Sequence, residues 1–227
     1  MSEMDWDTWS PIYRAICAEF GYDPAEDRAV RDTLATALAP PALDRLSMQA
    51  ETVAVVVGAG LDASGLRRVR NADSVVATAD ALDRLDRAAI PVRCVVTDLD
   101  STPSAVCART AEGGLVAVHA HGDNGDAIDA WIDRMAVEHV IGTTQAEPVP
   151  SVINTGGYTD GDRAAFLAHT LGADRLTFVG WDLGDGSVGP EKRAKLDWAA
   201  RLLTWLERER GETYTMLEGH RRPLGVE

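Results

Sequence analysis

Lysine is nearly missing from this chain: Lys192 and Lys195 are its only two examples among 227 residues, and the other twenty cations are arginines. Positive charge as a whole is scarce, with 22 basic residues against 36 acidic ones and a net charge of −14. That balance excludes a nucleic-acid backbone or an anionic membrane as the expected partner. Cysteine is also sparse. Cys17, Cys94 and Cys107 are odd in number and have no C-x-x-C spacing, which excludes a disulfide frame or a cysteine zinc site and fits small buried residues in a reducing compartment. No apolar run approaches the roughly 20 residues needed to span a bilayer. The stretch 1–7 is acidic where a signal peptide would be basic, so the expectation is a soluble cytoplasmic protein.

Aspartate outnumbers glutamate 23 to 13. Short carboxylates at this density repel one another in dilute buffer, but at molar salt the Debye length falls to about 3 Å and the repulsion largely disappears. A GC-rich genome would favour arginine codons without explaining the acidic excess. The composition therefore reads as salt-adapted, or halophilic.

Residues 1–50 read as a helical extension. Ser10-Pro11 offers an N-cap followed by proline in the first turn, with Trp9, Ile12, Tyr13, Ile16 and Phe20 at helical spacing. Asp23-Pro24 repeats the signal ahead of Val30, Leu34 and Leu38. From 51 to 227 the rhythm changes to short β-branched runs at 52–57, 75–79, 92–97, 114–118, 151–154 and 175–181. Helical patterns lie between them near 62–70, 80–89, 103–111, 125–139, 161–171 and 190–210. Alternation of this kind predicts an α/β domain, a Rossmann-like three-layer fold with a mainly parallel six-stranded sheet.

Each apolar run ends in a polar tip. In an open parallel sheet the strand ends share one crevice, so tips distant in sequence converge there. Val95-Val96-Thr97-Asp98-Leu99-Asp100 sets two carboxylates two residues apart, both on one side if the chain stays extended, a pairing suited to Mg²⁺. Asp100 could instead cap the helix after Pro103. His119-Ala120-His121-Gly122-Asp123-Asn124 invites a metal reading, or else a turn with Asp123 or Asn124 as a cap. In Asn154-Thr155-Gly156-Gly157-Tyr158-Thr159-Asp160-Gly161-Asp162-Arg163 a glycine turn leads into a helix N-terminus, where free N–H groups attract anions. Gly58-Ala59-Gly60 resembles a phosphate-cradling turn without matching a complete dinucleotide or P-loop motif. Asp182-Leu183-Gly184 closes the last run, and the two lysines follow it, one of them expected to contact phosphate.

The segments VVTDLDS, HAHGDN, NTGGYTDGDRA and FVGWDLG, followed by KRAKLDWAARLL, together resemble the archaeal 6-hydroxymethyl-7,8-dihydropterin pyrophosphokinase (MptE-like) family over roughly residues 50–206. The resemblance implies a fold similar to thiamine pyrophosphokinase catalytic domains. It also implies Mg²⁺-dependent pyrophosphoryl transfer from ATP to a pterin hydroxymethyl group, in the route to folate or methanopterin cofactors. On that basis Asp98, Asp100 and Asp123 are expected to hold the metal, with Asp80 in the phosphate frame and His121 beside the reaction. The resemblance adds Asn154, Thr159, Asp160, Arg163 and Asp182 to the site, and the residues themselves add Gly58, Gly60, Asn124, Gly156, Lys192 and Lys195 as expected nucleotide contacts. Leu61-Asp62-Ala63-Ser64 departs from the Gly-x-Gly-Pro-Ser-Leu form of broader relatives, and Tyr158 stands where phenylalanine is expected.

Rival readings are a metal-dependent phosphohydrolase built on Asp98, His119, His121 and Asp123, a thiamine pyrophosphokinase, and a non-catalytic nucleotide sensor or glycosyltransferase-like relative. All take small-molecule ligands; a homo-oligomer is compatible with each. The charge balance generates its own prediction: the melting temperature, followed by circular dichroism, rises from tenths-molar to multimolar KCl. A flat curve over that range would refute salt adaptation.

Overall fold

Seven short strands form the sheet, one more than the pattern of apolar runs predicts. They are β1 (Thr52–Val56), β2 (Ser74–Thr78), β3 (Cys94–Thr97), β4 (Leu115–Ala120), β5 (Val140–Thr144), β6 (Val152–Ile153) and β7 (Arg175–Val179). The computed structural model describes residues 4–226, so the first three residues of the acidic stretch at 1–7 lie outside the described residues. All six pairings are parallel, in the order β6-β5-β4-β3-β2-β1-β7.

The missed strand is β5. The helical reading of 125–139 holds only for α6 (Gly125–Trp131), after which 3-10 turns lead into Val140-Ile141-Gly142-Thr143-Thr144. A glycine and two threonines break the apolar run, yet all five residues are buried. β-Branched threonine suits a strand, and the Thr143 hydroxyl satisfies itself by donating to the Val118 carbonyl at 3.3 Å.

Two helices precede the sheet, α1 (Trp6–Phe20) and α2 (Pro24–Ala37). Ser10 does not cap α1. Asp5 does, its carboxylate accepting from the Thr8 amide at 3.0 Å and the Thr8 hydroxyl at 2.8 Å, and Pro11 lies inside the helix. The second start is as expected, with Asp23 accepting from the Ala25 amide at 2.8 Å and Pro24 in the first turn. The remaining helices are α3 (Ala63–Val69), α4 (Leu82–Arg87), α5 (Pro103–Ala111), α7 (Asp160–Thr170) and α8 (Pro190–Arg210).

Strand periodicity divides the core. Val53 and Val55 pack in one cluster with α1, α7 and α8, while Ala54 and Val56 pack in another with α3 and α4. Val95, Val116 and Val118 meet α2, α5 and α6 in a third cluster. Thus α1 and α2 pack into different clusters on opposite faces of the sheet. The turn between them reaches the strand ends, where Tyr22 and Asp23 line a cavity.

Gly180 closes the sheet at its topological switch. It follows β7 with φ +82°, and a Cβ there would stand 1.9 Å from the Val57 carbonyl oxygen. Its own carbonyl accepts from the Gly60 amide at 2.8 Å, binding the β1 turn to the β7 turn. Gly180→Ala is therefore expected to cost about 1–3 kcal/mol, the usual range for overpacking, read as a lower urea midpoint at unchanged slope. An unchanged midpoint would show that the turns separate freely.

Candidate active site

A cavity of about 420 Å³ opens along the carboxyl ends of the strands. Asp80, Asp98, Asp100, His121, Asp123, Tyr158, Thr159, Asp160, Arg163, Asp182, Lys192 and Lys195 all line it, so tips from separate strands do meet. Gly58, Gly60, Asn124, Asn154 and Gly156 are not among the lining residues. Their roles in the structure are internal. Asn124 donates to the Asp98 carbonyl at 2.8 Å and the His119 carbonyl at 2.7 Å, clasping the ends of β3 and β4. Asn154, wholly buried, donates to the carbonyls of Gln145 and Ala146 and accepts from the Gly156 amide at 2.8 Å. The Gly58 amide donates to Asp80 at 3.1 Å, and Arg84 donates to the carbonyls of Gly58 and Leu61 from behind the turn.

The two central aspartates do not lie on an extended chain. Leu99 adopts φ +68°, and the turn is held by the Leu99 amide on Thr97 Oγ1 at 2.9 Å and the Asp100 amide on Asp98 Oδ1 at 3.2 Å. Both carboxylates still reach the cavity. Asp100 is not a helix cap, because α5 begins after Thr102, in left-handed conformation, with no side-chain cap.

His121 Nδ1 accepts from the Asp123 amide at 3.3 Å, which assigns the ring proton to Nε2 and directs it to Asp98 Oδ2 at 3.4 Å. Burial works to raise the pKa of Asp98. The hydrogen bond from His121 and the Arg163 charge outweigh it and hold the carboxyl well below its usual range. Asp100 moves the other way, raised by burial and then by the negative Asp98. His119 stays out of the cavity. It is 2% exposed, its Nδ1 lies 3.0 Å from Thr143 Oγ1, and burial, then Arg163, drives its pKa well down. The four-residue set of Asp98, His119, His121 and Asp123 therefore does not line one chamber.

Helix α7 delivers its first turn to the cavity. Asp162, 0% exposed, accepts from the amides of Tyr158 at 2.6 Å and Thr159 at 2.9 Å, and from the Thr159 hydroxyl at 2.5 Å, so it shapes the helix start. Arg163 donates to Asp160 Oδ1 at 3.0 Å, with side-chain exposures of 7% and 21%. This buried cation faces the central aspartates.

Sequence reasoning missed one wall completely. Tyr22 and Asp23 from the α1–α2 turn and Glu26 and Asp27 from the start of α2 line the cavity, as does Gln145 after β5. Their one signal was Asp23-Pro24, which marks a helix start without saying where it docks. Gln145 had none, because its strand was not recognised.

Burial, then the negative Asp98, pushes Asp160 up to about 7, against the opposing pull of Arg163. The folded chain therefore holds this proton more tightly than the unfolded chain, whose value is near 3.8. Its stabilising contribution is complete below the unfolded value and lost as pH rises through about 7. Asp160→Asn, which cannot ionise, is expected to melt higher than the parent at pH 8, with the gap closing by pH 4. Thermal melts of the metal-free protein decide it; a gap that widens toward low pH would reverse the assignment.

The family model described as "6-hydroxymethylpterin diphosphokinase MptE-like" matches residues 32–187. A protein named 6-hydroxymethyl-7,8-dihydropterin pyrophosphokinase from Methanothermobacter thermautotrophicus is 33% identical over 90% of this chain and 96% of its own length. One of the same name from Pyrococcus furiosus is 34% identical over 90% and 95%, and one from Methanocaldococcus jannaschii 28% identical over 90% and 96%. With the match covering more than half of its residues, this chain belongs to the MptE-like 6-hydroxymethylpterin diphosphokinase family.

Proposed function

We propose that this protein transfers the β,γ-pyrophosphoryl group of ATP to the hydroxymethyl oxygen of 6-hydroxymethyl-7,8-dihydropterin, with Mg²⁺, releasing AMP on the route to folate- or methanopterin-type cofactors. The observation that carries the reading is the length of the match: relatives bearing the pyrophosphokinase name align over 90% of this chain. The cavity agrees in chemistry. Carboxylates of Asp98 and Asp100 are hard oxygen donors of the kind Mg²⁺ takes one or two at a time, completing its shell with water and phosphate oxygens. Among the described residues no three His, Cys, Asp or Glu side chains gather into a closed cage. Substrate phosphate is therefore part of the fit. Bound there, the ion would neutralise phosphate charge.

The reaction forms a bond from the acceptor hydroxyl oxygen to the β-phosphorus and breaks the bond from that phosphorus to the oxygen bridging to the α-phosphate, which leaves with AMP. Positioning and charge neutralisation dominate such a step. Arg163, Lys192 and Lys195 line the cavity as cations for the phosphates. Asp160, on the cavity wall beside Arg163, is the candidate to take the hydroxyl proton. His121 holds Asp98 ionised and oriented.

Incubation with ATP, Mg²⁺ and a panel of reduced pterins and thiamine, with AMP as the readout, tests the reading. AMP formed only with the hydroxymethyl pterin supports it. Phosphate or AMP without an acceptor indicates hydrolysis, AMP with thiamine changes the acceptor, and nucleotide binding without AMP indicates a sensor. Asp98→Asn is expected to lower turnover about a hundredfold to a thousandfold, the usual effect of removing a charge-stabilising group, with the circular dichroism spectrum unchanged. Near-normal turnover at saturating Mg²⁺ and ATP would remove Asp98 from the site.

A further inference from the structure

Strand order divides the cavity into two wings. Gln145 follows β5, Asp98 follows β3 and Gly180 follows β7, so Asp98 stands two strand spacings from the first and three from the second. At the usual separation these are roughly 10 and 14 Å. A transfer centred on Asp98 thus has room for one reactant on each side.

The wings differ in chemistry. On the β7 side, β1 is flanked by β2 and β7, the topological switch point at which such sheets bind nucleotides. Lys192, which follows β7 in the chain, also lines the cavity. The β4–β5 wing is instead walled by the start of α2. Glu26 lies over Gly122 at the end of β4: a Cβ on Gly122 would be 3.0 Å from Glu26 Cβ and 3.4 Å from its Oε2. The Gly122 amide donates to Asp27 at 2.6 Å, fixing this wall to the sheet. Carboxylates line both wings, Asp80, Asp182 and Asp185 on the β7 side and Glu26 and Asp27 here, so the wings are told apart by the switch point and by Gln145 rather than by charge.

Gln145 supplies the second, independent observation. It lines the cavity at 4% exposure, and its amide nitrogen donates to Asp27 Oδ2 at 2.9 Å. Because an ionised carboxylate only accepts, the NH₂ must turn toward Asp27. Oε1 is left buried with no partner among the described residues. Buried acceptors are normally satisfied, and a small turn of this side chain, which belongs to a residue lining the cavity, would bring Oε1 to a donor from a ligand.

Resting on the function proposed above, we infer that the β4–β5 wing holds the planar acceptor, with Gln145 Oε1 and the Glu26 carboxylate receiving its ring N–H and exocyclic amine. A 2-amino-4-oxopyrimidine edge presents adjacent donors, which two acceptors match. Adenine presents one amine between acceptor nitrogens and leaves such a wall unpaired. The N-terminal helices are then a specificity element for the acceptor, and the nucleotide occupies the opposite wing.

Calorimetric binding of 6-hydroxymethyl-7,8-dihydropterin and, separately, of Mg-ATP to the full chain tests this, alongside KM for each. Glu26→Ala and Gln145→Leu are expected to raise the pterin Kd and KM at least tenfold while ATP binding stays within twofold. Glu26 is exposed, so its variant tests the wing even if Gln145→Leu destabilises the fold. Unchanged pterin affinity in Glu26→Ala, or a loss of ATP affinity in its place, overturns the wing assignment while a wild type that forms AMP leaves the function standing. A wild type that binds no pterin and makes no AMP overturns the function and this inference with it.

Discussion

The carboxylate of Asp27 is the constraint on which the site's architecture depends. It is 2% exposed and accepts from Tyr13 Oη at 2.7 Å, Gln145 Nε2 at 2.9 Å and the Gly122 amide at 2.6 Å. Those donors come from α1, from the end of β5 and from the turn after β4, so one side chain ties both N-terminal helices to the rim of the sheet. Hydrogen bonds to a charged group contribute about 1.5–3 kcal/mol each, and a buried carboxylate stripped of them would be costly. Asp27 raises the Tyr13 pKa in turn, after the larger effect of burial. Leu34 and Arg31 also hold α2 to the sheet, and the Asp27 junction fixes its first turn over the strand ends, where it walls the cavity.

A second junction sets the centre. Asn124 joins the carbonyls at the ends of β3 and β4, and its Oδ1 accepts from the His121 amide at 3.0 Å. That places the His121 ring where Nε2 meets Asp98. The orientation of one carboxylate thus descends from an asparagine amide that never enters the cavity. Electrostatics follow from the same geometry: Asp98 keeps its charge through His121 and Arg163, and that charge then helps keep Asp100 and Asp160 protonated to higher pH.

Much of this was legible in residue order. The parallel sheet, the shared rim and the long α8 over 190–210 follow from apolar periodicity and from polar residues at strand ends. Leu99 was not legible, because a positive φ at a leucine arises from a turn stabilised by Thr97 and Asp98 side chains, not from any glycine. β5 was hidden by its glycine and threonines, of which Thr143 finds its hydroxyl partner only across the folded sheet, at the Val118 carbonyl. The α1–α2 wall was hidden for a related reason: helical periodicity predicts a buried stripe but not the body against which it packs. Only a tertiary contact such as that of Asp27 with Gln145, 118 positions apart, fixes that choice.

Residue type at a strand end also leaves open whether a polar side chain faces the backbone or the cavity. Asn154, Asn124 and Asp162 spend their hydrogen-bonding capacity on main-chain groups, and Asn154 and Asp162 are 0% exposed. Asp80 does both, capping the Gly58 turn while lining the cavity. Among the described residues Asp98 receives only the Asp100 amide and the His121 ring, and it remains accessible. In a chain with 36 acidic residues, the number of backbone donors a carboxylate has captured therefore separates frame from chemistry better than its position in a motif. A carboxylate saturated by amides has little left for a cation, whereas one held by a single imidazole and one amide keeps lone pairs to offer.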